Sequence, residues 1–109
     1  MTTDDDIDPA DLRKRIEAGR SPVVIDTRSG LEYAAGHVPG AVHVPFWAMP
    51  WRGGELRAEK ADEIVVYCGH GPRAMMAAAA LRRQGFRRVR LLRGHWARWK
   101  TVQGEIDAA

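Results

Sequence analysis

The sequence predicts an α/β fold: a small, mostly parallel sheet flanked by helices. Short apolar runs of strand length, such as Val23-Val24-Ile25 and Ile64-Val65-Val66, alternate with segments of helical pattern. These runs are continuous rather than alternating, as in strands covered on both faces. Asp26 and Cys68 fall at predicted strand C-termini, the edge where parallel sheets place their binding sites.

Asp8-Pro9 reads as an N-cap with proline at the first helical position, and Leu12, Ile16 and Gly19 fit a short amphipathic helix with a glycine stop. Residues 22–26 form a buried strand ending in an acid. Ser29 caps a short helix that carries Leu31 and Tyr33 and stops at Gly36. Residues 41–44 form a brief strand between Pro39-Gly40 and Pro45. Residues 46–59 read as a loop with one helical turn, and 58–62 as a further short turn of helix. Residues 64–67 are the strand that delivers Cys68, and 73–84 a helix with Gly85 as its C-cap. Residues 89–92 form another strand. A last short helix covers 94–100, and 103–109 read as a frayed tail.

The chain has 109 residues, 45% hydrophobic and 28% charged, which is globular composition and one domain over 1–109. A single cysteine excludes an internal disulfide, a Cys-x-x-Cys redox pair and a cysteine-rich zinc site. No secretory h-region opens the chain and no apolar stretch reaches spanning length, so the expectation is a cytoplasmic protein without a membrane partner. The four histidines match no metal-ligand spacing, and no metal is expected. Charge is uneven: residues 1–63 hold eight Lys/Arg against twelve Asp/Glu, and 64–109 hold nine against two. Without a recognition motif this reads as a solvated arginine-rich surface rather than a nucleic-acid face.

Cys68 carries the chemistry. It lies between an apolar strand and the loop Gly69-His70-Gly71-Pro72-Arg73, with a small-residue helix behind. Backbone N–H groups of such a loop and the positive end of the helix favour a sulfur anion. Gly69 and Gly71 let successive amides turn inward as a nest. Pro72 lacks an N–H and stiffens the turn. Arg73 can offer a forked guanidinium to an oxyanion or to loop carbonyls. His70 is a proton donor or simply a polar loop residue, the second fitting better. A lone cysteine after a strand is often only packing, but the glycines and arginine around this one argue for a nucleophile.

Four pieces resemble the single-domain rhodaneses, a sulfurtransferase family. They are Asp26-Thr27-Arg28 with Glu32-Tyr33, the stretch Gly36-His37-Val38-Pro39-Gly40-Ala41-Val42-His43-Val44-Pro45, Val66-Tyr67-Cys68 with Arg73, and Leu92-Arg93-Gly94-His95-Trp96-Ala97-Arg98-Trp99. The resemblance spans residues 22–99 and implies a five-stranded rhodanese-like sheet. It also implies transfer of sulfane sulfur, from thiosulfate or a related small anionic donor, through a persulfide on Cys68. No cofactor is implied. The acceptor must be external, cyanide or a thiol, because no second cysteine can resolve the persulfide. The alternative is a non-catalytic or persulfide-carrier module that docks on a protein partner. The four residues between Cys68 and Arg73 suit sulfur, whereas related phosphatases carry a longer loop. His95 stands where the family has a second glycine, which predicts a different backbone path there. His43 replaces the usual asparagine.

Asp26 and Arg28 are candidate substrate-binding residues with Gly69, His70, Gly71 and Arg73, although a structural role fits Asp26 and Arg28 better. Strand ends bring Asp26 and Cys68 toward one crevice. Arg28 and Glu32 are spaced as an i,i+4 ion pair. His37 reads as a turn stabiliser. Met75 and Met76 are expected in the core of a helix apolar nearly all round. Trp47 and Trp51 either wall the pocket or form a partner surface.

Overall fold

The central strand is the one that leads to Cys68. In the computed structural model, which describes residues 6–52 and 56–108, β4 (Glu63–Tyr67) lies in the middle of a five-stranded parallel sheet. β5 (Arg88–Leu92) and β1 (Asp6–Ile7) lie to one side. β2 (Val23–Asp26) and β3 (Val42–His43) lie to the other. Every pairing is parallel, with Asp26 opposite Tyr67 and Ile64 opposite Val89. The edge strand β1 comes from the polar, acidic start of the chain, where no apolar run marks it. Ile7 reaches the sheet by pairing with Leu92.

Each face of the sheet is covered. On one, Ile25, Ile64, Val66 and Cys68 pack under α4 (Pro72–Arg83), with Met49, Phe86 and Val89. On the other, Val24, Val65, Tyr67 and Leu92 pack against Leu12 of α1 (Pro9–Glu17) and Trp99 of α5 (His95–Ala108). α4 approaches closely because its inner face is Ala74, Ala77, Ala78 and Leu81. Met75 and Met76 are not core: each is 60% exposed, because the helical step turns them away from that alanine face.

Local sequence explains most boundaries. Ser29 and Glu32 form a reciprocal capping box on α2 (Gly30–Ala35). Asp8 occupies the N-cap position of α1 with extended backbone, but its side chain makes no cap bond. α4 ends in a Schellman motif. The Gly85 N–H reaches the Arg82 carbonyl, the Phe86 N–H reaches that of Leu81, and Gly85 takes φ +99°. The cap residue itself is Gln84, with Gly85 one position beyond. Val38-Pro39-Gly40-Ala41 is a turn closed from the Ala41 N–H to the Val38 carbonyl, with Gly40 at φ +80°.

Three expectations need correction. Phe46–Ala48 is a 3-10 turn that runs into a short α3 (Met49–Arg52), so this stretch holds more helix than expected. Residues 58–62 contain no helix. A turn from the Asp62 N–H to the Glu59 carbonyl closes there, with the Asp62 carboxylate accepting the Glu59 N–H. The expected tail continues α5 as far as Ala108, through Gly104, and Ala109 lies outside the described residues. Contact with α1 extends the helix: the Arg13 guanidinium donates to the Gln103 side chain, and Val102 is half-buried. Part of the basic excess is absorbed structurally, because Glu63 accepts from both Arg15 and Arg90. Burial opposes ionisation of Glu63, but the hydrogen bonds and the charges of the two arginines together outweigh it and hold its pKa below the usual value. No helix among the described residues is long and apolar enough to cross a membrane.

Candidate active site

The chain leaves β4 at Tyr67, turns through Cys68, Gly69 and His70, and enters α4 at Pro72. Gly71 makes the turn possible, with φ +138°. Its amide donates to Cys68 Sγ at 3.0 Å, and its carbonyl accepts the first helical bond from Met75. Cys68 is 0% exposed, so the thiol lies beneath its own loop, whose Gly69 is half-buried and His70 exposed.

Arg73, in the first turn of α4, folds back over this loop. A Cβ on Gly69 would lie 3.1 Å from its guanidinium, so Arg73 sits close against this part of the loop. The Arg73 guanidinium donates to both oxygens of Glu32, at 2.8 and 3.3 Å. That pairing, then the Ser29 amide bond, pulls the Glu32 pKa down to about 2. Arg73 is shifted upward by Glu32 first, with the Cys68 sulfur also contributing. Glu32 thus pairs with Arg73 across the site, and the expected Arg28–Glu32 pair does not form.

Arg28 instead turns inward. Its Nε and Nη2 donate to the Asp26 carboxylate at 2.7–3.1 Å, and Nη2 also donates to the Gly36 carbonyl. Its guanidinium lies over the rings of Tyr67 and Trp96. The Tyr67 hydroxyl donates to Asp26 Oδ2 at 2.7 Å and accepts the Val38 N–H at 3.0 Å. Burial and the Asp26 carboxylate push the Tyr67 pKa well upward. Asp26 and Arg28, 0% and 3% exposed, therefore satisfy each other through their side chains, while Arg28 also borders a small cleft that Trp47 and Arg73 share. The shared crevice fails for a geometric reason. Asp26 is in register with Tyr67, so it lies on the Tyr67 face of the sheet, and Cys68, one residue on, points to the other. What the Asp26–Arg28–Tyr67 network does is fix the residue immediately before the cysteine.

The histidines divide by role. His37 is stacked on Tyr33 at 3.8 Å and bonded to the Tyr33 carbonyl, so its ring is tied back to α2. His43 Nε2 bonds the Arg28 carbonyl. His95 is the residue sequence reasoning undervalued. Its backbone is left-handed, at φ +54°, a conformation that favours glycine. That conformation costs a residue with a Cβ roughly 1–2 kcal/mol. Its Nδ1 accepts the Cys68 N–H at 3.2 Å. The departure from Gly-Gly was the signal that could have found it.

Trp47 and Trp51 are 61% and 70% exposed. Trp47, Phe46, Met75 and Met76 line a groove of about 490 Å³, and Trp47 with Arg73 borders a smaller cleft of about 90 Å³.

The profile of the rhodanese-like domain family matches residues 8–102. The chain is 40% identical over 81 residues to the thiosulfate sulfurtransferase GlpE of Pseudomonas fluorescens, covering 73% of this chain and 72% of that one. It is 33% identical over 94 residues to a sulfurtransferase of Allochromatium vinosum, covering 86% of each. Some relatives are much longer: the chain spans 41% of the Bacillus subtilis protein YrkF and 45% of the Mycobacterium tuberculosis HTH-type transcriptional regulator Rv0324. Among solved structures, the Alr3790 protein of Anabaena superposes with a TM-score of 0.80 at 31% identity, covering 88% of this chain and 86% of that one. The human single-domain sulfurtransferase TSTD1 superposes with a TM-score of 0.77 at 25% identity, covering 89% and 96%.

Proposed function

The chain belongs to the rhodanese-like domain family of sulfurtransferases and sulfur carriers, and from that membership we propose that it transfers sulfane sulfur through a persulfide on Cys68. The observation that carries this is the placement of Cys68 Sγ. It sits at the C-terminal end of the central strand, 3.0 Å from the Gly71 amide, with the Arg73 guanidinium over its loop.

With thiosulfate as donor, the Cys68 thiolate attacks the outer sulfur. A sulfur–sulfur bond forms to Cys68, the sulfur–sulfur bond of thiosulfate breaks, and sulfite leaves with its electron pair. Cyanide then attacks the outer sulfur of the persulfide and departs as thiocyanate, returning the thiolate. A thiol acceptor takes the sulfur in the same way and leaves as its own persulfide. The Gly71 amide and the Arg73 guanidinium are the groups that offset the negative charge on sulfur; Gly69 and His70 complete the loop. Because the thiol is enclosed, the donor reaches it by displacing part of the covering loop, where His70 is exposed and Arg73 lies against Gly69.

A second reading has one observation in its favour. The exposed Trp47, Met75 and Met76 make an apolar surface, and Trp47 also borders the cleft beside Arg73, which suits a carrier that hands its persulfide to a protein acceptor.

Intact mass after incubation with thiosulfate tests both. Wild type should gain one sulfur, Cys68→Ala none, and cyanide should reverse the gain with release of thiocyanate. Loading that is stable but slowly turned over by cyanide favours the carrier. An unmodified wild type rejects thiosulfate as donor.

A further inference from the structure

The loop that presents Cys68 is held from behind by the start of α5. The Trp96 N–H donates to the Cys68 carbonyl at 2.9 Å, and the Ala97 N–H to that of Gly69 at 3.4 Å. The third tie is a side chain. His95, 7% exposed, accepts the Cys68 N–H at Nδ1, and its Nε2 lies 3.5 Å from the point where a Cβ on Gly71 would sit. One ring therefore spans from the amide of the cysteine to Gly71, whose own amide donates to Sγ. The chain places this ring at a left-handed position, where a bare glycine would be free of strain.

Nδ1 acts as acceptor only when it carries no proton, which fixes the neutral ring with its hydrogen on Nε2. A second proton would place an N–H on Nδ1 directly against the Cys68 N–H. Two donors would then face each other and the tie would be lost.

We propose that His95 is a positioning residue for Cys68, that it works only as the neutral Nε2–H imidazole, and that acid releases the loop by protonating it. This rests on reading Cys68 as the sulfur-bearing nucleophile. The surroundings favour the neutral form. Burial lowers the pKa of His95 below its ordinary 6.5, and His70 on the loop adds to this, while Asp6 on β1 opposes it. Cys68, just beyond β4, meets the ring through its backbone N–H. On α5 itself Trp96 and Ala97 are uncharged and Arg98 is exposed.

The test compares full-length wild type with His95→Asn and His95→Gly. Asparagine tolerates the left-handed backbone, offers an oxygen to the Cys68 N–H and does not titrate. Glycine removes strain and acceptor together. Two readouts need no sulfur donor: nitrogen–proton NMR of the His95 ring and the Cys68 amide, and the rate of Cys68 alkylation by iodoacetamide across pH. Wild type should show the Nε2–H tautomer at neutral pH. Its Cys68 amide shift should step with the same midpoint as the His95 ring, below 6.5. His95→Asn should keep the neutral-pH amide shift and lose the step. His95→Gly should lose both and change the alkylation rate by about three-fold or more, the size of one hydrogen bond. An Nδ1–H tautomer, a step that survives in His95→Asn, or an unchanged Cys68 amide and alkylation rate in His95→Gly would each overturn the proposal. Thiosulfate loading is measured alongside. Its absence in a wild type that shows the expected tautomer and step would reject the sulfur-transfer reading and leave the positioning role standing.

Discussion

Tyr67→Phe isolates the buried network behind the cysteine. The substitution removes one oxygen and leaves the ring that packs near Trp96 and under Arg28. That oxygen makes two bonds, to Asp26 Oδ2 and from the Val38 N–H, in surroundings where Tyr67, Asp26 and Val38 are all fully buried. A hydrogen bond to a charged group contributes roughly 1.5–3 kcal/mol, and a buried amide left without a partner costs about 1–3 kcal/mol. The two do not add fully, because Asp26 Oδ2 keeps its bonds from Arg28. The expected loss is about 2–4 kcal/mol, which for a domain of this size lowers Tm by roughly 8–16 °C. Urea unfolding followed by far-UV circular dichroism measures it, with an unchanged m-value showing that the denatured state is not altered. Below the transition, persulfide loading of Cys68 should continue, because the network supports the strand and touches no substrate. A loss under about 0.5 kcal/mol would refute the argument that this hydroxyl pins the strand. A variant of normal stability that failed to load would return Asp26 and Arg28 to the substrate site.

Other outcomes follow from the same geometry. Glu32→Gln removes the partner of Arg73. Both side chains are more than a third exposed, so the stability difference from wild type at pH 7 should stay under about 1 kcal/mol. Glu32 is more acidic folded than unfolded, so its contribution is complete above pH 4.5 and is lost as pH falls toward about 2; urea midpoints across that range check it. Gly94→Ala would force a Cβ to 2.3 Å from the Arg98 Cβ at φ +74°, and should cost at least about 2 kcal/mol by the same assay. Met76→Lys should change stability by less than about 0.5 kcal/mol, since the side chain is exposed. A loss of several kcal/mol would put Met76 back in the core.

What was legible in the sequence followed from local rules. Continuous apolar runs marked β2 and β4, because a parallel strand is buried on both faces and needs no alternation. Ser29 before its short helix, and Gly85 after the alanine helix, marked helix ends because caps are made by residues a few positions away. β1 was not marked, since two residues in an acidic stretch carry no pattern of their own. The end of α5 was hidden by Gly104, whose helical cost is met by packing against α1.

The sequence by itself determined the candidate nucleophile, the loop around it and the sheet that carries it, because these depend on residues adjacent in the chain. Only the tertiary structure decided partners. It turned Arg28 to Asp26 and gave Glu32 to Arg73, since the pairing depends on which charges burial brings together and not on helical spacing. Strand register with a period of two put Asp26 and Cys68 on opposite faces although their strands end side by side. The same folding set His95, 27 residues beyond Cys68, against the amide of the cysteine, a contact that no local rule of sequence contains.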